Sequence, residues 1–503
     1  MEMTGIPGRS PGRRPGRVLF TPISPSLGAE RPQTKQDVLS GIRKGIPFRL
    51  DTRTRILLAS GMRLVPVLTL LPAGALALAQ AQGPRDERYW GQWRGPLDTG
   101  VATRAEPPTE WNESLNVRWK VPVPGPGHSS PIVWKDRIYL TSALPHGLPV
   151  EPPVGVRPGA HDNILEVRPT RFSVTALERN TGRTVWTKIV RDSLPHESRH
   201  DTGSYASASP ITDGHRIYAF FGSNGLFALD LEGNVLWEKD LGDMHTKHGH
   251  GEGASPALYG NTLVVNWDHE GPSFIVALDA RTGRQLWRST RDEPTSWSSP
   301  HILVHKGRAQ VVVSAANRIR SYDLSQGDLI WECGGLSHNV VAGPVSQEGL
   351  VICGSSYEKQ AILGINLDGA RGDLTGGASV AWIKRRDTPY VPSLLLYEGL
   401  IYYHRHYQGT FTCRRAISGE ALYERARLAG IRNVYASPVA ADGRIYVTSL
   451  DGQTLVFTSG DRPEALSLNG LDDRFSASAA LVGDSIIMRG SKSLYCIAEK
   501  KNP

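Results

Sequence analysis

The stretch SPALYGNTLVVNWDHEGPSFIVALDARTGRQLWRST, residues 255–290, contains the pattern that decides the fold. It begins with Ser-Pro and continues with a short apolar run, a turn that contains Gly, and a second apolar run. The letters ALD then lead to Thr-Gly and to a Trp four residues later. Short apolar runs bounded by Gly-containing turns are typical of β-strands. One such unit therefore predicts four short strands.

The same unit recurs along the chain. Anchored at the Pro of Ser-Pro or its equivalent, the units begin at 131, 210, 256, 300, 344, 394, 438 and 480. The first step is 79 residues, which indicates an insertion at about 144–170, and the later steps are 42–50 residues. Repeats of about 40–50 residues with four strands each are propeller blades. The sequence predicts an all-β fold, an eight-bladed β-propeller of four-stranded antiparallel blades.

The two ends of the repeat region complement each other. The last unit, SAALVGDSIIMRGSKSLYCIAEK, stops before a fourth strand with its Trp. The stretch NVRWKVPV, residues 116–123, offers such a strand with Trp119 but has no Ser-Pro start. We expect this N-terminal strand to close the ring as the outer strand of the last blade, which removes two exposed sheet edges.

The element Asp-x-x-Thr-Gly-x-x-x-Trp describes the turn between the third and fourth strands. The Asp side chain can cap backbone amides of the turn, and Gly accepts the positive φ angle. The Trp is a large flat group that can wedge between neighbouring blades. We assign this structural, blade-docking role to Trp119, Trp186, Trp237, Trp287, Trp331 and Trp382, with Tyr423 in the same position.

The chain divides into four predicted segments. Residues 1–61 hold eleven Lys and Arg against four Asp and Glu, so nearly all of the net charge of +8 lies there. We expect residues 1–61 to be a disordered basic extension, with translation beginning at Met62. Residues 62–82 read as a signal peptide because a short apolar run follows one Arg and ends in small residues. Residues 83–115 would be an extended segment, and residues 116–501 the propeller.

These features restrict the partners and the location. The nearly neutral body offers no basic footprint for nucleic acid. The apolar run is too short for a membrane span, so no transmembrane segment is expected in the mature protein. The four Cys residues are far apart, which argues against a zinc site or a disulfide framework. We expect a monomer in the periplasm or outside the cell, with an unknown small molecule, carbohydrate or protein as partner.

Candidate binding residues lie just before each Ser-Pro, because these connections between blades surround one mouth of the central channel. Functional groups concentrate on such loops. Two loops that follow second strands, 404–409 and 266–271, are expected away from this mouth, the latter as a solvated turn. The ligand-binding set at the mouth is polar and aromatic: His128, His200, Tyr205, His250, Glu252, Trp297, His338, Asn339, Tyr390, Arg432, Asn433 and Tyr435.

The stretch MHTKHGHGEG, residues 244–253, is the connection into the third blade. His245, His248 and His250 have a spacing that zinc could use. The neighbouring Lys247 opposes a cation, and the Gly residues leave the loop adaptable. A native metal site, adventitious metal binding and a polar loop at the mouth remain as alternatives.

The repeats resemble the pyrroloquinoline-quinone (PQQ) type of eight-bladed propeller. The unit ALDxxTGxxxW carries this resemblance, at 277–287 and, with Glu178 for Asp, at 176–186. The opening WGQWRGPLDTG, residues 90–100, looks like the N-terminal motif of exported bacterial members. Relatives include a propeller that serves as an outer-membrane assembly scaffold and quinoprotein dehydrogenases with PQQ and Ca²⁺.

Three functions follow from this resemblance and from the residues. The leading hypothesis is a scaffold that binds a ligand or partner at the channel mouth. The first alternative is a PQQ- and Ca²⁺-dependent alcohol or sugar dehydrogenase, but the adjacent Cys pair of those enzymes is absent here. The second is a carbohydrate-active enzyme, for which Glu252 is the single clear carboxylate although glycosidases use two. No catalytic residue and no cofactor are assigned from the sequence.

Overall fold

The protein is described here by a computed structural model that covers residues 85–155 and 158–499. The predictions for residues 1–61 and for the signal peptide at 62–82 lie outside these residues. Within them the chain is almost entirely β-strand, with two short 3-10 helices, Gly222–Asn224 and Lys247–Gly249. None of the helices in these residues is long and apolar enough to cross a membrane.

Eight four-stranded antiparallel sheets form the blades, which confirms the predicted eight-bladed propeller. Each is given from its inner to its outer strand. Blades 1 and 2 contain Ile132–Trp134, Arg137–Pro145, Thr170–Glu178 and Thr184–Ser193, then Ile211–Thr212, Arg216–Phe220, Leu226–Asp230 and Val235–Lys239. Blades 3 and 4 contain Ala257–Tyr259, Thr262–Trp267, Phe274–Asp279 and Gln285–Thr290, then His301–His305, Arg308–Val313, Ile319–Asp323 and Leu329–Cys333.

The second half of the ring repeats this arrangement. Blades 5 and 6 contain Val345–Gln347, Leu350–Ser355, Ala361–Asn366 and Val380–Lys384, then Leu395–Tyr397, Leu400–His404, Thr410–Arg415 and Ala421–Arg427. Blades 7 and 8 contain Val439–Ala441, Arg444–Thr448, Gln453–Thr458 and Ala465–Gly470, then Ala480–Val482, Ser485–Arg489, Ser493–Ala498 and Val117–Pro122. Gly372–Asp373 adds a short parallel strand to blade 4, and Asn163–Ile164 pairs with Arg199–His200.

The outer strand of blade 8 comes from the N-terminal side of the chain. Val117–Pro122 runs antiparallel to Ser493–Ala498, with Trp119 opposite Cys496. In this blade Ser478 and Ala479 occupy the Ser-Pro position, because Ser478 accepts a hydrogen bond from the Ser437 N–H as the equivalent serines of other blades do. The anchor of the last repeat is therefore 479, one residue before the position 480 that the repeat spacing indicated. The strand register explains why the last repeat ends early, since its fourth strand is supplied from elsewhere in the sequence.

Each blade is covered by a neighbour on both faces, and its strands reflect this. Phe274–Asp279, a third strand, is buried along its whole length, whereas the outer strand Gln285–Thr290 buries Trp287 and leaves most other positions at least partly open. A strand enclosed on both faces needs apolar residues on both sides, while an edge strand facing solvent does not. This difference accounts for the continuous apolar runs that the sequence shows in the middle of every repeat.

A tryptophan at the outer strand fastens most blades to the next blade. The indole N–H of Trp186 donates to Leu231 O at 2.9 Å, and that of Trp237 donates to Ala280 O at 3.0 Å. The equivalent bonds from the other three blades of this type join Trp119 to Arg179 O, Trp287 to Leu324 O and Trp382 to Ala416 O, each at 2.9 Å.

Trp331 differs from the other five. Its indole donates to Gln310 Oε1 in its own blade, at 3.2 Å. The tight turn that would receive it in blade 5 is replaced by a longer connection, and Gly372–Asp373 from that connection pairs with the outer strand that carries Trp331. Only the hydrogen bond to the next blade is replaced by one within blade 4, because the Trp331 ring remains buried in an apolar cluster that includes Val351 and Leu363 of blade 5.

Serine hydroxyls link the inner strands around the channel. In each link the backbone N–H of one Ser-Pro position donates to the serine Oγ of the next blade, at 2.8–3.0 Å. The accepting serines, in chain order, are Ser130, Ser209, Ser255, Ser299, Ser393, Ser437 and Ser478. The eighth link cannot form because position 343 is Gly. We refer to these residues as the serine ring.

The N-terminal segment 90–101 crosses the channel on the side of the serine ring away from the mouth. Trp90 exchanges two backbone hydrogen bonds with Val133 of blade 1, and Ala440 of blade 7 donates to Gly100 O. The buried Arg94 guanidinium donates to Pro438 O at 2.9 Å and to Leu394 O at 2.8 Å. This segment ties together inner strands from opposite sides of the ring.

The Thr-Gly turn leads to a first prediction. Gly283 has φ +70°, and a Cβ there would lie 2.8 Å from the Trp237 ring. We expect Gly283→Ala to lower the free energy of unfolding by about 2–4 kcal/mol, combining left-handed backbone strain with overpacking. Gly399 has φ +73° with open space around it, so Gly399→Ala should cost only about 1–2 kcal/mol. Urea denaturation compares the two, and equal losses would refute the role of the Trp237 contact.

The gap in the serine ring leads to a second prediction. A Cβ on Gly343 would meet nothing closer than 3.8 Å, and its backbone is not left-handed. We expect Gly343→Ser to supply the missing acceptor for the Ser299 N–H and to raise the free energy of unfolding by about 0.5–1.5 kcal/mol. Gly343→Ala is the control, since it adds the carbon without the hydroxyl. Equal stability of the two variants would show that the eighth link contributes nothing.

Candidate functional site

A cavity of about 340 Å³ opens where the connections to the inner strands converge. Its floor is formed by Trp93 of the N-terminal segment and by the serine ring. Its walls are loops from blades on all sides. We call it the mouth cavity; its side-chain lining includes Trp93, His128, His161, His200, Thr202, His250, Glu252, Trp297, Asn339, Tyr357, Tyr390, Tyr407 and Tyr435.

Eight of the twelve sequence-predicted ligand-binding residues line the mouth cavity. They all precede the first inner-strand residue of a blade, where the eight connections turn towards the channel. These residues are His128, His200, His250, Glu252, Trp297, Asn339, Tyr390 and Tyr435. Their shared position follows from the ring itself, and their binding role stays a prediction.

The other four residues do not line the mouth cavity. Tyr205 turns away and donates its hydroxyl to Glu197 O at 2.8 Å. His338 is exposed near Glu358, whereas Asn339 beside it is buried. Arg432 and Asn433 are exposed, and the buried Val434 directs the chain inward by donating to Tyr407 O.

The expected position of the loops after the second strands was wrong. Tyr407, in the 404–409 loop, lines the mouth cavity and stacks on Tyr435 with ring centres 5.4 Å apart. In an antiparallel blade, the first and third strands both run away from the mouth. The loop before each of these strands therefore lies at the mouth end.

The loop at 266–271 is a solvated turn only at its tip, where Glu270 and Gly271 are exposed. Asp268 is buried and forms an ion pair with the buried Arg291, with Oδ1 2.6 Å from Nε. Ser296 also donates to Asp268, and Thr295 donates to Glu270. These carboxylates hold loops of the mouth face together and are already satisfied by protein donors.

Four tyrosines form a row along one wall of the mouth cavity. Tyr357 and Tyr390 stack with ring centres 5.9 Å apart, Tyr390 and Tyr407 are 6.1 Å apart, and Tyr407 stacks on Tyr435. Burial raises the pKa of Tyr390 to about 12, so its phenol is neutral at ordinary pH. The row offers flat apolar faces edged by hydroxyl groups.

Asn339 contributes a polar group without a protein partner. Its side chain is buried, its φ is +56°, and its Oδ1 has no hydrogen-bond partner among the described residues. Buried polar atoms in proteins are nearly always hydrogen-bonded, and the exceptions need an explanation such as a water or a ligand. Asn339 lines the mouth cavity, while its Oδ1 itself is shielded from solvent.

The histidines of MHTKHGHGEG separate into two groups. His245 lies beside His196 and His269, with ring centres 6.1 and 6.4 Å away. His248 and His250 instead lie with His161 and His200. The separation arises at the intervening 3-10 turn, where His248 has φ +56°. The described residues therefore do not bring His245 together with His248 and His250 as one ligand set.

Glu252 lies between the mouth cavity and a smaller space behind it. Its carboxylate accepts one hydrogen bond from the Ser223 hydroxyl and one from the Ser223 N–H, the latter at 2.7 Å. Burial raises the pKa of this carboxyl to about 7 in spite of those bonds. Gly222 is required beside it, because a Cβ there would fall on the carboxyl group. Glu252 is thus anchored in the wall and is the single carboxylate among the residues that line the mouth cavity.

The lining does not fit PQQ with Ca²⁺. PQQ carries three carboxylates, yet no Arg or Lys is among the residues that line the mouth cavity. Calcium takes six to eight oxygen ligands, commonly with several carboxylates, and Glu252 is already held by Ser223. The four cysteines Cys333, Cys353, Cys413 and Cys496 are all buried and free. We derive no redox step for this cavity.

Several lining residues were missed by sequence reasoning. Trp93 comes from the segment before the propeller, and His161 comes from the insertion in blade 1, so neither precedes a Ser-Pro. Tyr357 and Tyr407 lie in loops after second strands. The alternation of strand direction within a blade was the available signal for these two, while the placement of Trp93 and His161 depends on tertiary packing.

Comparisons with known proteins agree with the fold. The PQQ_2 family model, described as outer membrane protein assembly factor BamB, matches residues 101–265 and 170–424. A protein of that name from Francisella salina is 26% identical over 99 residues, which are 20% of this chain and 17% of the relative. The matched part thus spans well under two thirds of that relative.

Solved structures also resemble the chain. A europium-containing methanol dehydrogenase has a TM-score of 0.54 at 11% identity, covering 82% of this chain and 89% of the other. BamB from Moraxella catarrhalis has a TM-score of 0.47 at 14% identity, covering 70% and 99%. At these identities the likeness to the dehydrogenase concerns the fold alone.

A third prediction concerns His404, at the base of the loop that carries Tyr407. Its ring is fully buried against Phe411, with centres 4.7 Å apart, and burial lowers its pKa from 6.5 to about 4. Between these values the unfolded chain binds the additional proton, so stability should fall as pH decreases from 6.5 to 4, by about 3 kcal/mol at most. His404→Phe should flatten this pH dependence, measured by urea denaturation.

The control for this prediction is His215→Gln, on an exposed turn of blade 2. It should leave the slope of stability against pH unchanged. An unchanged slope in His404→Phe as well would show that this histidine does not govern the acid sensitivity.

Proposed function

Because the chain belongs to the PQQ_2 family of propellers described as outer membrane protein assembly factor BamB, we propose that it is a binding scaffold. We propose further that the mouth cavity holds a ring-shaped, uncharged small molecule, such as a saccharide unit. The observation that carries this proposal is the row of four tyrosines in the lining of the mouth cavity, which also includes Asn339 with its unpartnered amide oxygen.

The size and polarity of the mouth cavity support this ligand class. Its volume of about 340 Å³ is within the range of small-molecule sites. Burial lowers the pKa of His128 and His250 to about 4, so these lining histidines are neutral at pH 7. Aromatic faces with a few placed polar groups suit a ligand that presents C–H faces and hydroxyl edges.

The alternative functions find less support in the same residues. An oxidoreductase using PQQ and Ca²⁺ would need cationic and carboxylate groups that the lining lacks. A glycosidase would need two carboxyl groups about 5–9.5 Å apart across the substrate. Glu252 is the single lining carboxylate and is engaged by Ser223.

The setting of the protein is part of the proposal. Relatives named outer membrane protein assembly factor and the signal peptide predicted at 62–82 both favour a place outside the cytoplasm. We therefore propose a periplasmic or secreted scaffold. The same relatives favour a protein as an alternative occupant of the mouth face.

A fourth prediction tests ligand binding with the full-length chain. Neutral mono- and disaccharides are titrated by calorimetry and by intrinsic fluorescence. We expect the double variant Trp297→Ala with Asn339→Ala to weaken binding at least tenfold, about 1.4 kcal/mol, because it removes an aromatic wall and the free amide oxygen. Tyr407→Phe should bind nearly normally, while Tyr407→Ala should not, if ring stacking matters.

His338→Ala and Arg432→Ala are the matched controls. Both residues are exposed next to the mouth but do not line the cavity, so these variants should bind like the unchanged protein. Unchanged binding by the double variant would refute the assignment of the site. Absence of binding to every saccharide by the unchanged protein would refute the proposed ligand class and favour a protein partner.

A further inference from the structure

Four histidines from three separate loops meet at one side of the mouth cavity. His161 lies in the insertion of blade 1, His200 in the connection from blade 1 to blade 2, and His248 and His250 in the connection to blade 3. The His250 ring centre is 4.9 Å from that of His200, 5.0 Å from that of His161 and 5.4 Å from that of His248. The rings of His161 and His200 are 5.8 Å apart.

Each of these rings has its Nδ1 engaged by a neighbour. His248 Nδ1 is 2.8 Å from Pro158 O, and His161 Nδ1 is 3.3 Å from the Asp162 carboxylate. His200 Nδ1 is 2.8 Å from the Thr202 hydroxyl, 3.2 Å from the Thr202 N–H and 3.0 Å from Asp201 Oδ1. These contacts leave Nε2 of each ring directed elsewhere. In His200, where Nδ1 accepts from the Thr202 N–H, binding a metal through Nε2 requires the ring hydrogen to move to Nδ1, which can then donate to Asp201 Oδ1 or to the Thr202 hydroxyl.

Asn163 determines the tautomer of His250. The Asn163 amide group donates to His248 O at 3.0 Å and to Gly249 O at 2.9 Å, so its Oδ1 is the atom that faces His250 Nδ1 at 2.8 Å. An amide oxygen only accepts, and Nδ1 therefore carries the hydrogen. The lone pair is then on Nε2. Histidines that bind metals are held in this way, by an acceptor at the nitrogen that does not bind the metal.

The separations suit a shared metal ion. With Zn–N bonds of about 2.0–2.1 Å in a tetrahedral site, two imidazoles bound through Nε2 have centres about 5 Å apart. The three distances among His161, His200 and His250 are 4.9, 5.0 and 5.8 Å. Ligand atoms of His161, Asp162 and His200 already lie within 4.8 Å of one another. A small rotation of the exposed His161 side chain would bring it closer to His200.

We propose that His161, His200 and His250 bind one Zn²⁺ ion on the wall of the mouth cavity through their Nε2 atoms. Two acidic groups, Asp162 and Asp201, lie beside the cluster. The ammonium of Lys247, the cation within the motif, lies 5.6 Å from the centre of the Tyr357 ring. The site would join the insertion of blade 1 to the mouth. It goes beyond the proposed saccharide binding and does not rest on it.

The test uses full-length protein without a polyhistidine tag, treated with a chelator and dialysed into metal-free buffer. Zinc is added alone, and binding is measured by calorimetry and by competition with a chromophoric chelator. We expect one Zn²⁺ per chain. Co²⁺ in its place should give the intense visible absorption of tetrahedral coordination. His161→Ala and His250→Ala should each weaken zinc binding at least tenfold.

His245→Ala is the matched control, because it removes a histidine from the same motif that lies in the other group. His215→Ala, on an exposed turn, is a second control. Both should bind zinc like the unchanged protein, and circular dichroism verifies that every variant is folded. Equal zinc binding by His161→Ala, His250→Ala and the controls would overturn the proposal, as would a loss caused by His245→Ala alone.

Discussion

At the wall of the channel, nearly every blade is held to the next by a backbone N–H that donates to a serine hydroxyl. This ring of bonds sets the distance between inner strands, and so the eight connections that precede them must converge around one opening. Five tryptophans at the outer strands set the spacing at the periphery in a similar way, by donating to a carbonyl of the next blade. The positions of the mouth residues are a consequence of these two circles of contacts.

The N-terminal segment closes one end of the channel and so gives the mouth cavity a floor. Trp93 forms part of the floor, and Arg94 fastens the segment to carbonyls of two inner strands. A closed floor gives a bound molecule a surface to pack against, which an open channel would not. This segment precedes the propeller in the sequence, yet it contributes to the only described cavity that combines the tyrosine row with the histidines.

The mouth cavity is chemically divided. One wall consists of stacked tyrosines and an unpaired amide oxygen, and another consists of histidines whose Nδ1 atoms are engaged by backbone and side-chain groups. Neither wall offers a fixed positive charge, and the one carboxylate is anchored by Ser223. These features underlie the proposal that the mouth cavity binds a ligand. They also separate the saccharide proposal from the zinc proposal, because different residues carry each of them.

The sequence by itself determined the repeat, the number of blades and eight of the residues that line the mouth cavity, because each of these depends on local periodicity. Loops that precede the first and third strands lie at the same end of a blade. The prediction placed them at opposite ends, and it therefore did not include Tyr407 in the site. Only the tertiary structure decided that His161 joins His200, His248 and His250 while His245 does not. Residues about ninety positions apart in the sequence, such as His161 and His250, meet because the insertion of blade 1 packs against the turn Lys247–Gly249. The left-handed backbone of His248 in that turn separates His245 from His248 and His250. Sequence spacing contains no information about either contact.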